Sequence, residues 1–353
     1  MGRTFLAAKR YHPQSLPSMR PLRFLKRCGA IFAIVAFVSS AGLAQNPAPV
    51  TPLAARRQTL LFVGDVMLSR SVGAKIKEQN DWNYPFEKIA DTLRAADLAI
   101  ANLECPVSDV GRNLHHLYSF RADPRVIEGL KYAGFGVLGV ANNHMYDWDR
   151  PALLDTVQRL RAAGLRPVGA GANSLEAHYP VLVNLNGVRL AFLAYVGIEP
   201  KEAEAGPDQP GVAWLDADRV LGDIRFARPL ADVLIVCLHW GVEYAPRPTR
   251  NQVELAHRMI DAGADLVVGG HPHVVQPCEI YHGHWIAYSL GNFIFDQHWP
   301  STHHGIMLKV TLAGKQITDA TTIPITIDNS FQAFVTPVDQ LPKRKRTPVL
   351  RAQ

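Results

Sequence analysis

Seven side chains able to bind a cation, or to work beside one, recur in this sequence at one kind of position, just after a short apolar run. Asp65 follows Leu60-Leu61-Phe62-Val63-Gly64, and Glu104 follows the run ending at Leu103. Asn143 and His144 follow Gly136–Ala141, His239 closes Val233–Leu238, and His271 and His273 follow Leu266–Gly270. Ligand sites in open α/β sheets form outside the carboxyl ends of the strands, so these groups are placed to converge. Carboxylates bind or bridge hard and borderline cations, and neutral imidazole suits zinc, manganese or iron. In Gly270-His271-Pro272-His273, an extended backbone sets residues i and i+2 on one side. Pro272 biases His271 toward that geometry, which predicts two rings reaching one cluster. Two such cations would orient a substrate, activate a water and stabilise charge at the attacked centre. Taken singly, Asp65 reads equally as a turn former or a ligand, Glu104 as a solvated loop carboxylate and His239 as a satisfied core histidine. The ordered set is what points to metal.

The elements that must position these groups alternate. Apolar runs at Leu60–Val63, Leu98–Ala101, Gly136–Val140, Val188–Val196, Val233–Leu238, Leu266–Val268 and His284–Tyr288 predict strands. Helical patterns between them make an α/β fold. One is Pro151–Ala163, with Asp149 as expected N-cap; another is Asn251–Ala262, with Gly263 as its stop. Glu199–Gly211 reads as a surface loop. Alternation and short turns predict antiparallel pairing of Gly305–Leu312 with Ile317–Ile327.

Net charge is +6, but residues 1–44 hold seven basic and no acidic residues, leaving 30 basic against 31 acidic in the remainder. A nucleic-acid partner is therefore not expected. The basic stretch ending at Lys26-Arg27, then Cys28–Ala44, reads as a signal peptide cleaved near Gln45 or as an uncleaved anchor. Either implies export, to the periplasm or to an extracytoplasmic anchored position. Residues 45–58 read as a Pro/Ala linker, 59–330 as one domain and 331–353 as a basic, solvated tail. Cys105, Cys237 and Cys278 are too few for a disulfide framework, though one pair remains open.

The ordered blocks resemble the CapA family of capsule-biosynthesis proteins. They are Gly64-Asp65-Val66-Met67-Leu68-Ser69-Arg70, Asn102-Leu103-Glu104, Ala141-Asn142-Asn143-His144, His239-Trp240-Gly241-Val242-Glu243-Tyr244, Gly270-His271-Pro272-His273 and Tyr288-Ser289-Leu290-Gly291-Asn292-Phe293. The resemblance implies a layered, metallophosphoesterase-like β-sandwich flanked by helices, with antiparallel C-terminal strands. It implies two divalent ions (zinc, manganese or iron) on Asp65, Glu104, Asn143, His239, His271 and His273, with Glu104 bridging. It makes His144 the general acid. Two departures matter: Met67 stands where phosphoesterase sites carry a histidine, and a thioether is a poor ligand for a hard ion; and Glu104 stands where they carry an aspartate. Arg70 would bind a substrate carboxylate or phosphate, or pair with a nearby acid. Asn292 would line the site or satisfy turn backbone, and Trp240 and Tyr244 read as packing.

Two functions are consistent with this resemblance. One is a metal-dependent hydrolase or transferase acting on poly-γ-glutamate, a related anionic envelope polymer or a phosphoester, through a metal-activated hydroxide. The other is a non-catalytic component that binds polymer or assembles with membrane-bound capsule synthesis proteins. An amidohydrolase barrel also uses His-x-His, but there the motif ends the first strand rather than coming after four other blocks.

Overall fold

Val, Ile, Leu and Phe dominate the runs after Thr59, and such side chains favour a pleated surface buried on both faces. In the computed structural model, which describes residues 57–337 and 349–351, they build two seven- or eight-stranded sheets. The expected leader over 1–44 lies outside the described residues. The first sheet runs, in spatial order, Ala333–Val335, Gln316–Ile327, His304–Ala313, Arg57–Val66, Leu98–Leu103, Phe135–Gly139 and Arg166–Val168. From Arg57–Val66 onward the pairing is parallel, whereas the C-terminal strands join it antiparallel, as expected. Asn292–Ile294 adds in parallel at the end of the first strand. The second sheet runs Val349–Arg351, Cys278–Tyr281, His284–Ala287, Leu266–Gly270, Val233–His239, Val188–Val196 and Val181–Leu185, its middle four strands parallel.

Period-two alternation along Val188–Val196 divides the core. Leu190, Phe192, Ala194 and Val196 join Leu60, Phe62 and Ile100 of the first sheet. Ala191, Leu193 and Tyr195 turn the other way, onto Val220 and Ile224 of helix Ala217–Ala227 and onto Ala256, Met259 and Ile260 of helix Arg250–Asp261. Helices Val126–Ala133 and Asp149–Ala162 pack Leu130, Val157 and Leu160 against the first cluster. The result is the layered α/β sandwich flanked by helices, with parallel strands of each sheet delivering their carboxyl ends.

Several boundaries differ from expectation. The first strand begins at Arg57, inside the expected linker, because Arg57↔Ala313 and Gln58↔Leu312 extend the ladder. The expected tail contributes two strands, Ala333–Val335 and Val349–Arg351, each adding at a sheet edge. Asp149 is the first helical residue rather than the cap. Helix Arg250–Asp261 opens with a capping box in which Thr249 and Gln252 exchange hydrogen bonds, a Thr-x-x-Gln signature. All three described cysteines are free thiols, and burial pushes each up to about 12.

At Gly64 the first strand runs hard against the backbone of Gly291. A Cβ there would stand 1.8 Å from the Gly291 carbonyl oxygen, and backbone cannot step aside as a flexible side chain can. Gly64→Ala is therefore expected to cost at least the ~1–3 kcal/mol of an overpacked core. A denaturant midpoint unchanged from wild type would contradict that fit.

Candidate metal centre

Parallel strands bring the expected groups to one edge of the two sheets. Asp65 pairs in register with Asn102 across the first sheet, and His239 with Gly270 across the second. Glu104 is fixed by its N–H on the Val66 carbonyl (2.8 Å). Asn143 and His144 open a 3₁₀ turn, Asn143–Tyr146, which the Asn142 side chain caps by accepting from the Met145 N–H at 3.1 Å. The sheets are tied at the site itself, where the His271 N–H donates to Asp65 Oδ2 at 3.2 Å. A Cβ on Gly270 would meet Asp65 Oδ1 at 2.6 Å, so a glycine is what lets this carboxylate sit against the second sheet.

His271 and His273 do reach one cluster, with ring centroids 5.8 Å apart. They do so without the extended backbone expected: φ is +92° at His271 and +58° at His273. Such values are uncommon outside glycine and cost energy. The hydrogen bond from the His271 N–H to Asp65 helps hold the turn that the preference imposed by Pro272 would otherwise oppose.

Asp65, Glu104, His239, His271 and His273 are all buried. Glu104 Oε1 lies 3.9 Å from the Nε2 atoms of His144 and His239 and 3.7 Å from that of His273. Those separations are too long for hydrogen bonds, and this oxygen has no hydrogen-bond partner, nor does His271 Nδ1. Buried polar atoms ordinarily find partners. Two ligands each ~2.0–2.2 Å from one cation can stand roughly 4 Å apart, so the spacing and the unpartnered atoms fit divalent metal. Charge fits as well. Burial, then the neighbouring Asp65 carboxylate, drives the Glu104 acid well above its usual range. Burial also works to raise Asp65, but His273, His239 and Asn102 more than offset it and hold that group to about 2. Burial, then His271, holds His239 well below the usual imidazole range, and burial, then His273, lowers His271 to about 3. Both imidazoles are thus neutral, the form that binds metal.

Surrounding groups orient these rings. The Asn292 amide nitrogen donates to Gln297 Oε1 (2.9 Å) and the Thr302 carbonyl (3.2 Å), so its oxygen accepts from His273 Nδ1 at 2.9 Å. That leaves His273 Nε2 free toward Glu104, an arrangement typical of metal-bound histidine. Asn292 thus lines the site by way of His273. The Asn102 amide nitrogen donates to Asp65 Oδ1 at 2.8 Å and stands 3.1 Å from His239 Nδ1, while His239 Nε2 meets Asn143 Oδ1 at 2.9 Å. Arg70 pairs with Asp296 through Nε (3.2 Å to Oδ2) and Nη2, and lies 4.7 Å over Phe120. Met67 turns its sulfur to the Ser69 N–H and hydroxyl, both at 3.1 Å.

Three participants escaped the sequence reading. Asp147 accepts from His144 Nδ1 at 2.8 Å; its signal was the i, i+3 spacing that a 3₁₀ turn eclipses. Asn102 was legible as i, i+2 from Glu104 on a strand. Glu243, within the quoted His239–Tyr244 block, places a carboxylate oxygen within 4.8 Å of ligand atoms on His271 and His273. Trp240 is packing as expected, its Nε1 donating to the Tyr288 carbonyl at 3.1 Å. Tyr244 packs only in part: the residue is 43% exposed, its ring lies 6.2 Å from that of His273, its hydroxyl accepts from Gln297 Nε2 at 3.2 Å, and its N–H to Pro272 carbonyl bond (2.8 Å) holds a backbone at φ +61°.

Comparison with known proteins agrees with the motif reading. The family described as "Bacterial capsule synthesis protein PGA_cap" matches residues 59–297. The chain is 34% identical to the capsule biosynthesis protein CapA of Bacillus anthracis over 82% of this chain and 72% of that one. It is 35% identical to the PGA biosynthesis protein CapA of Bacillus subtilis over 71% and 67% of the two chains. Among solved structures, Haemophilus influenzae NAD nucleotidase overlays with a TM-score of 0.48 at 10% identity, covering 84% of this chain and 64% of that one; at that score the fold is defined by the strand order given above.

Proposed function

We propose, for a chain that belongs to the bacterial capsule synthesis protein family of CapA, a metal-dependent hydrolase or transferase of envelope-polymer biosynthesis. Its substrate would be poly-γ-glutamate, a related anionic polymer or a phosphoester, attacked at a carbonyl or phosphorus centre. The observation that carries this reading is the unpartnered Glu104 Oε1 among three imidazole nitrogens. The basic-then-apolar composition of residues 1–44 supports export, and work alongside membrane-bound synthesis proteins fits that location.

Asp65, Glu104, Asn143, His239, His271 and His273 would hold divalent cations, which supply charge stabilisation and a water of lowered pKa. The protein's own contribution is placement. Asp147 fixes the Nδ1 side of His144, and Phe120 stacks on the ring at a centroid distance of 3.8 Å. His144 Nε2 therefore faces the cluster, where it can hold a proton and pass it to a departing oxygen or nitrogen. Arg70 would meet a substrate anion by exchanging Asp296 for it.

A second reading, a non-catalytic binding or assembly component, is favoured by Met67, whose thioether faces Ser69. Turnover of a γ-glutamyl polymer and of a chromogenic phosphodiester, with added manganese or zinc and after chelation, separates the two. We expect turnover that chelation abolishes. Metal-loaded protein inert on both substrates would favour the assembly component.

A further inference from the structure

Beside the buried cluster the structure brings a further carboxylate, Glu243, against the His-Pro-His turn. The loop after strand Val233–His239 is fastened on both sides of Glu243 to the His-Pro-His turn. The Trp240 N–H donates to the Gly270 carbonyl at 3.2 Å, and the Tyr244 N–H donates to the Pro272 carbonyl at 2.8 Å. The Gln276 side-chain amide donates to the Ala245 carbonyl at 2.9 Å, securing the loop beyond. Two residues in the loop, Gly241 at φ +97° and Tyr244 at +61°, hold left-handed backbone. The Tyr244 ring lies 6.2 Å from that of His273 and its hydroxyl accepts from Gln297 Nε2 at 3.2 Å, so the left-handed backbone seats this loop against the His-Pro-His turn. The fastening brings Glu243 over His271 and His273, with ligand atoms of all three within 4.8 Å of one another. The second, independent sign is His271 Nδ1, a buried nitrogen with no hydrogen-bond partner.

We infer that Glu243 is a direct ligand of the second cation, sharing it with His271 and His273, while Asp65 and His239 hold the first and Glu104, 3.7 Å from His273 Nε2, would serve both. The inference rests on the metal-site reading above and adds a ligand to it. It also gives this cation an open, solvent-facing side, because Glu243 is exposed whereas Asp65, Glu104 and His239 are all buried. The second ion would accordingly be the weaker-held and more exchangeable of the two.

The test is calorimetric titration of the metal-stripped full chain with Mn²⁺ and with Zn²⁺, comparing wild type with Glu243→Gln. Glu243 is exposed, so the substitution leaves the core untouched, and circular dichroism before titration verifies the fold. Removing a ligand should weaken one binding event at least tenfold and leave the other unchanged. A nearby charge acting only through space would be screened at about 1 M salt, where the Debye length is about 3 Å, whereas a lost coordination bond would not. The inference is supported if the loss persists at high salt. It is overturned if both events match wild type, or if the difference disappears on adding salt. Absence of any binding event in wild type would instead remove the metal-site reading itself, and this inference with it.

Discussion

Glu104→Gln is expected to abolish stoichiometric binding of both ions while leaving the metal-free protein folded. Burial and Asp65 raise the Glu104 acid well above its usual range, so the metal-free site disfavours the charged carboxylate, and an amide matches the side chain in shape. The fold should therefore lose little. The loss is of the ionisable oxygen standing 3.7–3.9 Å from the Nε2 atoms of His144, His239 and His273, the one a bound cation would hold in its charged form. Losing a group that merely orients a ligand costs roughly 10–100-fold in metal affinity, so a lost bridging ligand should cost more. Since a ligand that binds only the native state stabilises it by mass action, wild type should melt higher on adding metal and Glu104→Gln should not. A metal-induced rise in Tm that survives the substitution would show that Glu104 does not bridge.

His144→Ala should do the reverse, retaining metal and losing turnover by roughly 10²–10⁴-fold, the range general-acid catalysis supplies. His144 Nδ1 is committed to Asp147 at 2.8 Å, and only its Nε2 addresses the site. Substrates with good leaving groups need no proton to depart, so they should be affected least. Asp147→Asn should lower turnover by a smaller factor, because it frees the ring to turn without removing it. Equal rates for wild type and His144→Ala on poor leaving groups would make His144 structural.

Where the sequence was legible, one physical rule carried it: apolar runs form strands, and parallel strands deliver the residues at their carboxyl ends to one edge. Asp65, Glu104, Asn143, His144, His239, His271 and His273 all converge for that reason. The strands that went unseen were short or lay at edges. Arg166–Val168 has three residues, one of them proline, and Asn292–Ile294 pairs only at the end of its neighbour. Asp147 and Asn102 went unseen because their meaning lies in partners that folding supplies. The backbone at Tyr244 and in the His-Pro-His turn departs from local preference, which favours extended conformation. Tertiary hydrogen bonds to Pro272 and Asp65 instead hold left-handed conformations there.

The central claim is that this buried cluster is a two-cation centre, and elemental analysis of the metal-replete, folded protein tests it most directly. Purified chain equilibrated with zinc, manganese or iron and freed of excess should carry about two divalent ions, and His239→Ala and His271→Ala should each carry fewer. Wild-type protein that is folded yet holds no stoichiometric ion under any of the three metals would contradict the account.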